Sequence, residues 1–323
     1  MRANKIDLSI ALVFFNRPDH FKQVFERVRE IAPSELFLIQ DGPRNDHDIE
    51  KILSCREIVN NIDWECKVHK NFSEKNLGCG LRVSTGLDWA FQSTEKLVIL
   101  EDDCVPNESF FYFCKEMLDR YENDLRINMI SGMNHAGKYD FGGDSYCFCK
   151  TGSIWGWATW KRVWDNYDWE MSFRENKHVM EAYKNLGLPK YYLDHYEKIG
   201  KERWKSMMNN GKLQAWTYQF AMLRHLYSQL VIVPKYNLIN NVGFLSRSVY
   251  KKSGLKTRPK GLHWIVTLKS YDLEFPLKHP VYIMGNCEYD KMVFRKMGLP
   301  KRIAIYRKFE TKIRVILFGK RER

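Results

Sequence analysis

Short hydrophobic runs divide the first hundred residues of the chain. Residues 9–15, 35–40 and 96–100 are almost wholly apolar and too short for helices, which is typical of buried β-strands. Between the first two runs, apolar residues recur with helical spacing on one face, at Phe21, Val24, Phe25, Val28 and Ile31. A strand, a helix and a second strand at this spacing predict a βαβ unit and therefore a parallel sheet.

The same alternation continues up to the third hydrophobic run. Residues 49–62 are predicted to form a helix, residues 64–69 a strand, and residues 83–91 a helix that leads into strand 96–100. We therefore expect an α/β fold with a mostly parallel, Rossmann-like sheet and helices on both of its faces.

Three consecutive acids follow the third hydrophobic run. Glu101, Asp102 and Asp103 stand at the end of a buried strand, and Pro106 comes soon after. Because like charges so close together repel one another, a hard divalent cation is an economical explanation. We expect Mg²⁺ or Mn²⁺, held by one or two of the carboxylates and completed by phosphates of a ligand. The alternative is a solvated turn, in which acids and proline are common.

Two other polar loops follow parallel strands. Asn16 and Arg17 come after the first strand, and Asp41 comes after the second. The carboxyl ends of parallel strands share one edge of a sheet, so these loops are expected to meet the acidic turn in one crevice. Arg17 is suited to binding a phosphate, and Asp41 to accepting a hydrogen bond from a ribose or a base. Neither GxGxxG nor GxxxxGK[ST] is present, so the usual dinucleotide and P-loop modes are not expected.

A glycine-containing segment precedes the third predicted helix. Residues 75–82 read Lys-Asn-Leu-Gly-Cys-Gly-Leu-Arg. Glycines at the start of a helix can bring a phosphate close to backbone N–H groups. A plain loop with a capped helix explains the same residues nearly as well.

The composition and charge of the chain limit the kinds of partner that it is expected to bind. The net charge of +13 favours anionic partners. No apolar run is long enough to span a membrane, and the N-terminus lacks the features of a secretory signal, so a cytoplasmic protein is expected. The eight cysteines lack the spacing of zinc sites, and free, mostly buried thiols are predicted.

The end of the chain is basic and amphipathic. In residues 301–323, apolar residues recur at helical spacing, with basic residues at other positions, including Arg307, Lys308, Lys312 and Arg314. This pattern predicts contact with an anionic membrane surface at the inner face of the cell membrane. The alternative is a helix packed on its own domain with a solvated basic face.

Four segments together resemble a known family. They are Asn-Arg-Pro at 16–18, Asp-Gly-Pro-Arg at 41–44, Asn-Leu-Gly-Cys-Gly at 76–80 and Glu-Asp-Asp at 101–103. The Trp-Gly-Trp-Ala-Thr-Trp segment from Trp155 extends the likeness. The chain resembles GT-A glycosyltransferases of the bacterial family 2 type, which are related in layout to N-acetylglucosaminyltransferase I type enzymes.

This resemblance implies a domain organisation and a donor site. Residues 1–245 would form the GT-A domain, with a nucleotide-sugar half at 1–106 and an acceptor half at 107–245, and 246–323 would be a C-terminal extension. Asp103 would face the metal, which bridges the two phosphates of the donor. The nucleotide-sugar site would comprise Asn16, Arg17, Asp41, Asn76, Arg82, Glu101, Asp102 and Trp157. Trp160 and Trp164 would pack inside.

The expected general base is missing from its usual place. The family has an Asp just ahead of a Trp, whereas this chain has Gln214 ahead of Trp216. A glutamine does not accept a proton at neutral pH, so either another acid enters the site or the chemistry is altered. The acids considered are Asp168, Asp194, Glu197 and Glu202.

The resemblance implies a metal-dependent, inverting transfer of sugar from a nucleoside diphosphate donor, with UDP the expected nucleotide. The acceptor would be a glycan or a lipid-linked glycan in surface polysaccharide synthesis. Nucleic acid is not an expected partner, because no known reader module is present. Two alternatives remain: a non-catalytic protein that binds nucleotide sugars or glycans, and a metal-dependent nuclease.

Overall fold

The fold is built on one eight-stranded sheet flanked by helices. The computed structural model describes residues 5–210, 215–243 and 256–318. Its strands are β1 Ile6–Phe14, β2 Pro33–Gln40, β3 Lys67–Phe72, β4 Lys96–Glu101, β5 Cys104–Pro106, β6 Ile127–Ser131, β7 Tyr146–Cys149, β8 Trp157–Trp160, β9 Leu230–Pro234 and β10 Ile239–Asn241. Its helices are α1 Pro18–Ile31, α2 Asp46–Val59, α3 Gly78–Ala90, α4 Glu108–Arg120, α5 Lys161–Trp164, α6 Lys177–Lys184, α7 Lys190–Asn210, α8 Thr217–Leu226, α9 Trp264–Thr267, α10 Cys287–Met297 and α11 Lys301–Phe318.

The strand order of the sheet is β3-β2-β1-β4-β8-β6-β9-β7. The first four strands are parallel to one another, whereas β8 is antiparallel to both of its neighbours. Strand β9 is parallel to β6, and β7 is antiparallel to β9. The predicted α/β class, with a mostly parallel sheet, is confirmed.

Some elements do not begin at the residues that the hydrophobic pattern predicts. Helix α1 begins at Pro18, because a proline at the first position loses no intrahelical hydrogen bond. Strand β3 begins three residues later than predicted, at Lys67. Helix α3 begins at Gly78, five residues earlier than predicted.

A short ribbon ties the second half of the chain to the acidic turn. Strand β5 follows that turn directly and pairs with β10 in an antiparallel two-stranded sheet. The backbone N–H of Val242 then donates a hydrogen bond of 2.9 Å to the Asp103 carbonyl. Gly243 lies so close that a side chain there would meet the Asp103 carboxylate at 2.0 Å. Residues from both halves of the chain therefore shape the same edge of the sheet.

Helix α11 packs through its polar side. The Arg307 guanidinium donates to the Gly261 carbonyl at 2.9 Å, Arg314 to the Lys256 carbonyl at 2.8 Å, and the Glu310 carboxylate accepts from the Lys260 backbone at 2.8 Å. The opposite side exposes large apolar residues, namely Ile305, Tyr306, Phe309, Ile313, Ile316 and Leu317. Arg307 and Arg314 were predicted to face a membrane or solvent together with Lys308 and Lys312, but they hold the helix to the rest of the fold. No helix of the described residues is long and apolar enough to cross a membrane.

Candidate functional site

A cavity of about 710 Å³ lies at the carboxyl ends of β1, β2 and β4. The chain segments after these three strands all line it, as predicted from the parallel topology. Its described lining residues are Val13, Phe14, Phe15, Arg17, His20, Asp41, Arg44, Asn76, Gly78, Cys79, Arg82, Val83, Glu101, Asp102 and Asp103. Its volume falls in the range of small-molecule and cofactor sites.

Arg17 links two carboxylates of the acidic turn. Its guanidinium binds both oxygens of Asp102, and its Nη1 donates to Asp103 Oδ2 at 2.8 Å. Asp102 is almost fully buried and also accepts from the Phe15 backbone N–H at 3.4 Å. These bonds connect the end of β1 to the end of β4 and hold the acids in a defined arrangement.

The ionised form of Glu101 is disfavoured in this cluster. Burial, followed by the charges of Asp103 and Asp102, raises the pKa of Glu101 to about 8. Burial also raises the pKa of Asp102 to about 6, although the neighbouring Arg17 opposes that shift. The electrostatic environment therefore disfavours full ionisation of the turn unless further positive charge is present.

The donor set fits a divalent cation that shares its coordination with a ligand. Three carboxylates face one guanidinium, so the fully ionised cluster has two excess negative charges, which one divalent cation balances. Among the residues described, no group of three or more His, Cys, Asp or Glu side chains has the arrangement of a complete metal site. Mg²⁺ commonly uses only one or two carboxylates and takes its other ligands from water and substrate phosphates.

Asp41 holds the glycine-containing segment in place. Its Oδ1 accepts from the backbone N–H groups of Gly42 at 2.9 Å and Leu77 at 2.8 Å. Its Oδ2 accepts from Gly78 N–H at 2.9 Å and from Asn76 Nδ2 at 3.1 Å. Asp41 is therefore engaged in shaping the cavity wall and in starting helix α3, rather than free to bind a ribose.

Asn16 and Arg82 also make internal contacts. Asn16 donates to Asp48 Oδ1 at 2.5 Å and is absent from the cavity lining. The Arg82 guanidinium donates to the Gln40 carbonyl at 3.1 Å and to the Asn71 carbonyl at 2.6 Å. Burial lowers the pKa of Arg82, and the negative charge of Asp41 opposes that shift. Arg82 lines the cavity, so its positive charge can attract an anion there.

The sequence analysis missed three residues of this wall. His20, one turn after Arg17, faces the cavity, and burial and Arg17 lower the pKa of its imidazole. Arg44 stands over the Phe15 ring at 5.0 Å and is anchored by an ion pair with Asp48 of 2.8 Å. Cys79 also lines the cavity. Arg44 lies in the quoted Asp-Gly-Pro-Arg segment, whereas His20 was recognisable only by its position after the strand.

Trp157 does not line this cavity. It is fully buried in β8, and its ring stacks on Trp216 with centroids 5.4 Å apart. Gly156 packs against Ile239 rather than against a ligand, since a side chain there would meet Ile239 at 2.4 Å. The predicted sugar-lining role of Trp157 is therefore wrong, because this strand lies inside the sheet. Trp160 and Trp164 are buried, as predicted.

Among the described residues, none of the acids considered for the general base, Asp168, Asp194, Glu197 and Glu202, lines the cavity. Asp168 accepts hydrogen bonds from Ser172 Oγ at 2.8 Å and from the Phe173 backbone, which fixes a local turn away from the cavity lining. Gln214 lies outside the described residues. Glu197 pairs with Arg174 at 3.1 Å and also does not line the cavity.

Similar proteins are found among solved structures but not by comparison of sequences. No family model matches the chain, and no curated protein does. Similar solved structures include S. aureus TarS 1-349, which is 11% identical with a TM-score of 0.40 over 72% of this chain and 59% of that chain. Mouse xyloside xylosyltransferase 1 is 9% identical, with a TM-score of 0.38 over 71% of this chain and 85% of that chain. An apo UDP-glucose pyrophosphorylase is 9% identical, with a TM-score of 0.38 over 74% of this chain and 94% of that chain.

At these low values of identity and TM-score, the likenesses assign no role to any residue of this chain. The function has to be argued from the cavity itself.

Proposed function

We propose that this chain is a glycosyltransferase that takes a sugar from a nucleoside diphosphate donor, with UDP the first nucleotide to test. One observation carries the proposal: an acidic cluster and separate basic side chains line one cavity at the carboxyl edge of a parallel sheet. A nucleoside diphosphate with a divalent cation complements both charges, whereas a neutral ligand complements neither.

The basic side chains would receive the diphosphate. Arg82 and Arg44 both line the cavity, and an ion pair with Asp48 anchors Arg44 at its wall. His20 is held largely neutral, so it can donate a hydrogen bond to a phosphate or accept one from a hydroxyl group. Arg17 keeps Asp102 and Asp103 oriented and limits their repulsion.

Asp103 and Glu101 would hold Mn²⁺ or Mg²⁺, with Asp102 held back by Arg17. When bound, the cation neutralises charge that builds up on the departing diphosphate. Gly243 has no side chain, which allows its backbone to lie directly against the Asp103 carboxylate. Asn241 Nδ2 donates to Asp103 Oδ1 at 3.2 Å and so fixes the orientation of that carboxylate.

The acceptor would be a glycan or a lipid-linked glycan, and an inverting single displacement is the mechanism proposed. That mechanism requires a base to take the proton of the acceptor hydroxyl. The absence of Asp168 from the cavity lining makes it a poor candidate, so we propose no residue for this role. A role in surface polysaccharide synthesis is part of the same proposal.

The proposal is tested by thermal unfolding against a panel of nucleoside diphosphates and their sugars, with Mn²⁺, with Mg²⁺ and with EDTA. A ligand at one hundred times its dissociation constant stabilises the folded state by about 2.7 kcal/mol, a readily measured shift. We expect one nucleotide to raise the melting temperature only when a divalent cation is present, because the acidic cluster repels a free diphosphate.

The outcomes separate the alternatives. A stabilising nucleotide sugar that is neither hydrolysed nor transferred to any acceptor would indicate a non-catalytic binding protein. Stabilisation by an oligonucleotide instead, with cleavage in Mn²⁺, would support the nuclease. If no nucleotide stabilises the chain under any condition, the donor-site proposal is wrong.

We further propose that helix α11 lies on an anionic membrane. Its outward apolar side includes Phe309 and Ile316, which are 64% and 82% exposed. The exposed basic residues Lys308 and Lys312 flank this surface. Apolar insertion together with attraction to anionic headgroups is the usual basis of interfacial binding. The packing of the opposite, polar side on residues 256–263 leaves the apolar side free for lipid.

Vesicle co-sedimentation tests this proposal. We expect the full chain to bind phosphatidylglycerol–phosphatidylcholine vesicles, and to bind less as salt is added or with phosphatidylcholine alone. Phe309→Ser and Ile316→Ser should each weaken binding by roughly tenfold, because each removes an apolar side chain from the bilayer. Val281→Ser and Tyr282→Ser, which change exposed apolar residues outside the helix, are the matched controls. Equal losses in both pairs would contradict the assignment to α11.

A further inference from the structure

A second cavity, of about 430 Å³, lies farther along the sheet. It is bordered by Met133, which follows β6, and by residues 153–155, which precede β8. The backbone N–H of Gly132 donates to the Gly156 carbonyl at 2.8 Å, so these two segments lie side by side. Because β8 is antiparallel to β4 and β6, its start lies at the same edge of the sheet as the acidic turn. The two cavities share that edge but no lining residue.

The charge of the second cavity is opposite to that of the acidic turn. Its described lining contains Arg203, Arg224, His135 and His195, and no Asp or Glu. Burial lowers the pKa of both histidines, that of His135 to about 4, and so favours their neutral forms. The net charge of the wall therefore comes from the two arginines.

Arg224 is the most unusual group in this wall. Only 4% of the residue is exposed, and its Nε has no hydrogen-bond partner among the described residues. Within the described part of the chain, the hydrogen-bond partner of its Nη1 is the sulfur of Met129, at 3.9 Å. A buried guanidinium without an acceptor is costly, since each unmade hydrogen bond leaves a desolvated donor.

A neighbouring acid, Asp290, does not remove this cost. Asp290 interacts electrostatically with Arg224, but its carboxylate is already occupied. It accepts from Lys150 N–H at 3.0 Å, from Thr151 N–H at 3.0 Å and from the Thr151 hydroxyl at 2.6 Å. Because Arg224 lines the cavity, an anion bound there would place negative charge beside this guanidinium.

Arg203 provides a second cation in the same wall. Its Nη1 donates to the Ala215 carbonyl at 3.0 Å, which leaves other guanidinium N–H groups for a ligand. Most of the remaining lining residues are aromatic or aliphatic, including Trp155, Trp264 and Ile265. Such walls suit a sugar ring or an alkyl chain attached to the anion.

We propose that this second cavity binds a phosphate group of the acceptor, with Arg224 as its principal partner and Arg203 as a supporting one. The inference that the ligand is the acceptor rests on the proposed function, whereas the binding of an organic phosphate does not. Phosphate on a lipid and phosphate on a glycan share this chemistry, and the probes below separate them.

Calorimetric titration of the full chain tests the proposal, in EDTA and without nucleotide. The probes are hexyl phosphate, glucose 6-phosphate, inorganic phosphate and hexanol. We expect one of the two organic phosphates to bind about tenfold or more tightly than hexanol or inorganic phosphate, because it engages both the arginine and the apolar wall. A preference for hexyl phosphate indicates a lipid-type ligand, and a preference for glucose 6-phosphate a glycan-type ligand.

Arg224→Met should weaken that binding about tenfold or more, whereas Arg224→Lys should keep part of it. Arg27→Met, the same substitution at an exposed ion pair of helix α1, should leave the affinity unchanged. If Arg224→Met does not fold, Arg203→Met provides the corresponding test, with an expected loss of several-fold. Equal affinity for hexanol and hexyl phosphate with no binding of glucose 6-phosphate, or unchanged affinity in the arginine variants, would overturn the inference.

The experiment also separates this inference from the proposed function. Organic phosphate binding that persists while no nucleotide stabilises the chain would leave the phosphate site standing and remove the glycosyltransferase. Nucleotide binding with no organic phosphate binding would remove the phosphate site and leave the proposed glycosyltransferase standing.

Discussion

Asp103→Asn is expected to reduce sugar transfer by about 10²- to 10³-fold, the usual cost of removing one group that stabilises charge in a transition state. The substitution keeps the size of the side chain and removes only its charge. Folding should change little. The lost ion pair with Arg17 is offset by reduced repulsion with Glu101 and Asp102, both of whose pKa values the charge of Asp103 raises.

The measurement is turnover of the nucleotide sugar identified by the stabilisation panel, together with the melting temperature with and without Mn²⁺. Asp165→Asn, at an exposed ion pair with Lys161, is the matched control and should keep full activity. If Asp103→Asn retains wild-type turnover and cation-dependent stabilisation, the acidic turn is not the metal site.

Arg17→Met should lower the free energy of unfolding by about 2 to 3 kcal/mol at pH 8. Breaking a buried pair by removing one partner usually costs 3–5 kcal/mol, because it leaves a buried charge uncompensated. Here a third of the Arg17 side chain is exposed, so solvent screening reduces the cost. Urea unfolding in EDTA measures it, and Arg27→Met on the same helix should cause almost no loss.

The pH dependence of this loss follows from the carboxylates that remain. Arg17 opposes the rise in the pKa of Asp102, so its removal raises that pKa above the wild-type value of about 6. Between pH about 4 and the raised pKa, the folded variant then binds more protons than its unfolded chain. Its free energy of unfolding therefore decreases as the pH rises, and the loss should be smaller at pH 5 than at pH 8.

A divalent cation should restore part of the stability of Arg17→Met. The cation replaces the missing positive charge between Asp102 and Asp103, so Mn²⁺ should stabilise the variant more than it stabilises the wild type at pH 8. The opposite order, with Mn²⁺ stabilising only the wild type, would mean that Arg17 is needed to orient the metal ligands. No effect of Mn²⁺ on either protein would contradict a cation site at this turn.

The hydrophobic pattern was sufficient to predict the edge of the sheet where the cavity lies. The runs at 9–15, 35–40 and 96–100 are buried strands, and parallel pairing brings the segments after them together. That prediction needs only the period of the pattern and the geometry of βαβ units. Its success explains why Arg17 and Asp102 were both assigned to the crevice.

Individual side-chain roles were harder to predict, because they depend on partners that are distant in sequence. Asp41 accepts hydrogen bonds from backbone N–H groups 36 and 37 residues away, so its carboxylate fixes the conformation of a loop. Trp157 lies in a strand buried on both faces, and a run of aromatic residues does not reveal which of them reaches a cavity. No sequence pattern predicted a role for Arg224, because a lone arginine in an amphipathic helix is usually solvated.

The packing of helix α11 was also not predictable from the sequence pattern alone. Periodicity identified two sides of the helix but not which of them packs on the domain. The polar side does so here, through specific hydrogen bonds such as that from Arg307 to the Gly261 carbonyl. The basic residues are thus divided between internal contacts and the surface.

The four hydrogen bonds to Asp41 have a consequence for protein engineering. They hold the segment around Gly78 in place before any ligand arrives, so little conformational entropy should be lost there on binding. Replacing Asp41 would loosen that wall and reduce affinity for every ligand alike. An engineer who wishes to change which nucleotide is accepted should keep Asp41 and vary His20 and Cys79. Those two side chains line the cavity but do not hold its loops together.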